Sequence, residues 1–163
     1  MIIETELIGA RARVIPWVAA SGAMLLMLAA THRHGLGVSL DSVVYVAAAE
    51  GVAERGTLDV PLTGWDTVAP RAPLSHFPPA VPLALAAVRA STGAEPYAAA
   101  RWLNAVCVFV TVLLATRPIA ASPFALLVLL ALLAGPWFTT MPLWLWSEPL
   151  FLLLALLCVR VAV

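Results

Sequence analysis

Val14-Ile15-Pro16-Trp17-Val18-Ala19-Ala20-Ser21-Gly22-Ala23-Met24-Leu25-Leu26-Met27-Leu28-Ala29-Ala30-Thr31 is an apolar run of about eighteen residues, close to the ~20 needed for a helix to cross a bilayer. Arg11 and Arg13 precede it, and His32-Arg33-His34 follows it. A cleavable leader shares this order, but its apolar core is usually shorter. Leu28-Ala29-Ala30 also lacks the small residue expected three positions before a cleavage site. The run therefore reads as an uncleaved anchor.

Composition agrees with that choice. Hydrophobic residues make up 63% of the 163 residues and charged ones 11%, where a soluble domain would carry roughly 25% charge. Mean hydropathy is +0.99. Nine basic and nine acidic residues cancel, so no basic field points to nucleic acid. Cys107 and Cys158 both fall inside apolar runs without a Cys/His cluster, and read as small buried hydrophobes. Four further apolar segments follow the anchor. They cover Phe77 to about Ser91, Tyr97 to Thr116, about Ile119 to Phe138, and about Leu143 to Val163. The expected fold is all-α: an integral membrane chain of about five transmembrane helices, one transmembrane domain over 1–163. Arg11 and Arg13 place its N-terminus in the cytoplasm. The long first loop, 35–76, then lies outside.

That loop, about forty residues, is longer than a connection needs. Asp41 to Gly56 reads as a short amphipathic helix, starting at a capping signal in Ser39 to Asp41 and stopping at Gly56. At about 100° per residue, Asp41, Tyr45, Ala48 and Val52 share one face, and Glu50 and Glu54 the opposite one. Asp41 is a candidate for chemistry or simply an N-cap. The two glutamates read as a solvated face. Asp59, Trp65, Asp66 and Arg71 stand among prolines and glycine in a stretch that reads as irregular and turn-rich, with Trp65 at headgroup level.

Three more residues stand out. His76, before Phe77-Pro78-Pro79, lies where the chain re-enters the membrane, within reach of lipid phosphates, or is a plain interfacial histidine. Arg101 near the start of the third span needs a partner or a wet cavity unless it snorkels. Glu148, in Ser147-Glu148-Pro149-Leu150-Phe151, is an acid in an apolar run beside Trp144 and Trp146, which mark an interface. It is also placed as a first-turn acid at a helix N-terminus. Walker A, GxGxxG, HExxH and GxSxG patterns are absent from the sequence, so no spacing supports a cofactor or a metal.

Taken together, these features resemble the N-terminal third of the multi-pass glycosyltransferases of the GT-C class, such as protein O-mannosyltransferases and the aminoarabinose transferases of lipid A. The matching residues are Asp41 and Tyr45 after the first span, His76-Phe77-Pro78-Pro79 at the second, Gly93 and Arg101-Trp102-Leu103-Asn104 at the third, and the string Ser147 to Phe151. The chain departs from the class in length, and in having Ser42 rather than a second acid after Asp41. The resemblance implies a fragment of a longer transferase in a bacterial plasma membrane, acting on a polyprenyl-phosphate sugar at the outer face without a cofactor. Asp41 would be its base, with Tyr45, His76, Arg101 and Glu148 binding substrate. Its partners would be the lipid-linked donor and membrane lipids. The rival reading is a non-enzymatic membrane protein, a transporter subunit or an assembly factor.

Overall fold

The structure is a computed structural model that describes residues 2–61, 70–122 and 139–162, together with 124, 127, 131, 134 and 135; side chains are described from residue 12 on. The described residues are mostly helical. The helices are α1 (Ile2–Ala30), α2 (Leu40–Arg55), α3 (Ala80–Thr92), α4 (Pro96–Thr116) and α5 (Glu148–Ala162). Two short strands, β1 (Asp59–Pro61) and β2 (Arg71–Pro73), pair antiparallel with Val60 opposite Ala72. They replace the irregular loop expected there. Three-residue strands are too short for periodicity to reveal, and proline is tolerated at such an edge because no ladder donor is needed.

Among the described residues, Ala12–Ala30 and Pro96–Ile119 are helices long and apolar enough to cross a membrane. The expected second span is α3, whose 13 residues extend only about 20 Å. The fifth is α5, with 15 residues. The fourth expected span lies largely outside the described residues, as do Trp65 and Asp66. Cys107 is buried as expected, whereas Cys158 is exposed.

The chain divides into two compact units, with one boundary inside α4. The first comprises Met1–Arg33, Asn104–Leu143 and Glu148–Val163. Its core joins Ala19, Ala20 and Ala23 of α1 to Val108, Val112 and Leu113 of α4, with Phe109 against them. Small residues on α1 let the α4 side chains approach closely. Trp17 meets Phe109 with ring centroids 6.0 Å apart, and the Arg117 guanidinium lies 5.8 Å from the Trp17 ring centre. Asn104 donates to the Pro142 carbonyl at 3.1 Å.

The second unit comprises His34–Leu103 and Trp144–Ser147. Here α2 packs on α3, burying Tyr45, Ala48 and Ala49 with Val81, Leu85 and Ala86. The N-cap of α2 is Ser39, joined to Ser42 in a capping box, and Gly56 ends the helix with φ +70°. Both limits agree with the sequence reading, because a hydroxyl that satisfies a first-turn N–H and a glycine that accepts the left-handed turn are local signals. Asp41 is thus a first-turn acid rather than the cap.

The segment Trp144–Ser147 docks on that cap. Leu145 N–H donates to Gly37 O at 3.0 Å, and a side chain on Gly37 would put Cβ 2.7 Å from the Trp144 ring. Ser42 Oγ donates to Leu145 O at 2.8 Å, and Trp146 Nε1 donates to Ser39 Oγ at 2.8 Å. The two indoles stack at 5.3 Å. The tryptophans read from sequence as interface markers are, within this unit, the clamp on the start of α2.

Candidate functional site

A groove of about 490 Å³ opens in the second unit along α2, within the size range of small-molecule sites. Val43, Val46 and Glu50 of α2 line it, with Glu54 farther along, Arg71 from β2 and Tyr97 from α4. Its geometry follows from helical spacing. Tyr45, Ala48 and Ala49 are taken up by α3, so the neighbouring stripe through residues 43, 46, 47, 50 and 54 is left to face outward. Tyr97 is fixed by donating its hydroxyl to Leu36 O.

An ion network borders the groove. Asp59 Oδ1 accepts from Arg55 Nη2 and from Arg71 Nε, both at 2.9 Å, and Arg71 Nη2 reaches Asp59 O at 3.2 Å. The Arg55 hydrogen bond is the main reason that the Asp59 carboxyl titrates below its usual range, opposed by partial burial and reinforced by Arg71. Glu54 takes Arg55 at 3.5 Å and Arg89 at 3.4 Å. Among the described residues this network sets three guanidiniums against two carboxylates, a surplus of one positive charge before Glu50 is counted. Among the described residues Glu50 has no hydrogen-bond or ion-pair partner, and it lines the groove. A free carboxylate beside a positive network, over an apolar floor, suits a ligand that offers hydroxyls at one end and an anion at the other.

The residues singled out from sequence fall elsewhere. Asp41 is exposed in the first turn of α2 and lines none of the described cavities. Tyr45 is 3% exposed and meets Phe77 edge-on at 5.6 Å, so it holds the His76-Phe77 segment to α2 by packing. His76 itself is exposed, and Arg101 is half-buried in the second turn of α4. These four belong to the second unit. Glu148 opens α5 in the first, where its Oε2 is buried. Sequence reading missed Glu50, Arg71 and Tyr97 as neighbours. The i,i+4 pair Glu50 and Glu54 was visible, but the ribbon that carries Arg71 to it was not. Among the described residues no group of three or more His, Cys, Asp or Glu is placed to hold a metal. No protein-family model matches the chain, and no curated protein or solved structure matches it significantly.

Proposed function

We propose that the chain is a membrane glycosyltransferase of the GT-C kind, which moves a sugar from a polyprenyl-phosphate donor to an acceptor hydroxyl at the outer face of a bacterial plasma membrane. Support for a lipid setting comes from large apolar side chains left exposed on three helices, among them Leu25 and Leu26 on α1, Val106 on α4, and Phe151 and Val161 on α5. The observation that carries the reading is the groove, where Glu50, unpaired among the described residues, stands beside the arginine network at Asp59. In the reaction the acceptor oxygen bonds to the anomeric carbon, and the bond from that carbon to the phosphate oxygen breaks. The acceptor proton passes to a carboxylate, and polyprenyl phosphate leaves as an anion. In this reading Arg71, which lines the groove, would meet that anion.

Two carboxylates compete for the role of base: Asp41, which the family resemblance names, and Glu50, which faces the groove. The experiment uses the full-length protein in its own membrane, with a radiolabelled polyprenyl-phosphate sugar as donor. Glu50→Gln should cut transfer by about 100-fold or more, while Asp41→Asn leaves it within a few-fold. The reverse pattern returns the role to Asp41 and detaches the groove from the chemistry. No transfer by the unaltered protein removes the enzymatic reading and favours a non-enzymatic membrane protein, and full transfer by both variants removes both carboxylates from the role of base.

A further inference from the structure

The first unit holds a small cavity of about 20 Å³ between α4, the turn at Met141–Leu143 and the start of α5. Its walls are mostly apolar, with Cys107, Val108 and Thr111 on one side and Met141, Glu148 and Leu152 on the other. Its volume is that of a single water or a small ion.

Two oxygens in this wall are unaccounted for. Thr111 is 5% exposed, and its Oγ1 has no hydrogen-bond partner among the described residues. That is unusual within this chain. The buried Thr31 donates to Met27 O at 2.9 Å and the buried Thr116 to Val112 O at 2.6 Å, each four residues back along its helix. Thr111 does not take that option. Glu148 Oε2 is likewise buried and unpartnered among the described residues. Its place at the head of α5 would let it accept a first-turn N–H, yet Oε2 takes none. Two arginines of this unit are engaged elsewhere: Arg117 lies over Trp17 and Arg160 donates to Leu114 O at 2.8 Å. No described arginine forms an ion pair with Glu148.

A buried carboxylate oxygen without a donor or a countercharge costs several kcal/mol. What relieves it here must be small, and must satisfy a hydroxyl oxygen and a carboxylate oxygen together. A divalent ion would bring a second positive charge, and Glu148 is the one acid among the described lining residues. One positive charge matches the one negative charge present. We infer that Glu148 Oε2 and Thr111 Oγ1 are ligands of a single small monovalent cation, of which sodium is the natural representative. No residue lining this cavity lines the groove on α2.

The test is reaction of the full-length protein, in membranes or detergent, with the apolar reagent dicyclohexylcarbodiimide, read by mass spectrometry of the peptide holding Glu148. Sodium chloride should slow adduct formation at Glu148 by tenfold or more relative to choline chloride at equal ionic strength. In Thr111→Val that protection should vanish. Sodium should also raise the melting temperature of the unaltered protein but not of Glu148→Gln, which still folds with a neutral side chain of equal shape. Equal modification in sodium and choline, whether fast or slow, overturns the assignment. So does sodium stabilisation that survives in Glu148→Gln.

Discussion

At the N-terminus of α2 every hydroxyl valence is used, whereas around Glu148 two buried oxygens lack partners among the described residues. In the first region the Ser42 hydroxyl gives its one hydrogen to Leu145 O and accepts from Ser39 N–H at 3.0 Å. The Ser39–Ser42 contact of 3.2 Å must then run from Ser39 Oγ to Ser42 Oγ, because Ser42 has no hydrogen left to give. Ser39 Oγ accepts in turn from Ser42 N–H at 3.4 Å and from Trp146 Nε1. Two donors and four lone pairs are consumed, leaving no room for a guest. In the Thr111–Glu148 wall two buried side-chain oxygens have no partner among the described residues. Saturated polar clusters fix a fold, and bare buried ones are where a ligand would act.

The contrast can be broken by making the same edit on both sides. Ser42→Ala strips Leu145 O of its donor in a buried setting and Ser39 N–H of its acceptor in a partly buried one. It should cost about 2–3 kcal/mol, read as thermal unfolding in detergent, and a loss near zero would mean that Trp144–Ser147 is not clamped to α2. Trp146→Phe keeps most of the apolar contact and removes one donor to Ser39. About 1 kcal/mol is expected, with earlier amide exchange at the first turn of α2 as the local signature. Thr111→Val, which replaces a hydroxyl by a methyl group, should be neutral or slightly stabilising in sodium-free buffer, since it removes a polar atom that has no partner among the described residues to lose. A cost comparable to that of Ser42→Ala would place Thr111 in the structural class and erase the difference.

Some of this was legible in the residues. Ser39 and Gly56 set the limits of α2 because capping is a local matter. The face through Tyr45 and Ala48 was correctly grouped by helical spacing, but its meaning was not, because grouping does not say what covers a face. Both stripes of α2 are small and apolar apart from their acids: Val43, Val46 and Ala47 on one side, Ala48, Ala49 and Val52 on the other. Only the packing of α3 decides that Tyr45 turns inward while the Glu50 stripe lines a groove, and that Asp41 at the helix start is left in solvent. Arg71 was out of reach for a different reason. It is sixteen positions beyond Arg55, yet both guanidiniums meet at Asp59 because a ribbon of three-residue strands brings them together. Glu148 was flagged from sequence as an acid in an apolar run, but that it lines one cavity with Thr111, thirty-seven positions earlier, is a tertiary fact.

The indoles of Trp144 and Trp146 are inclined by 21° to each other. Chromophores that close share their excited states, so this pair should give a split near-ultraviolet dichroic band of its own. The band would report the attachment of one short segment to the head of α2 without any label, and would collapse when that attachment lets go, even while the helices persist.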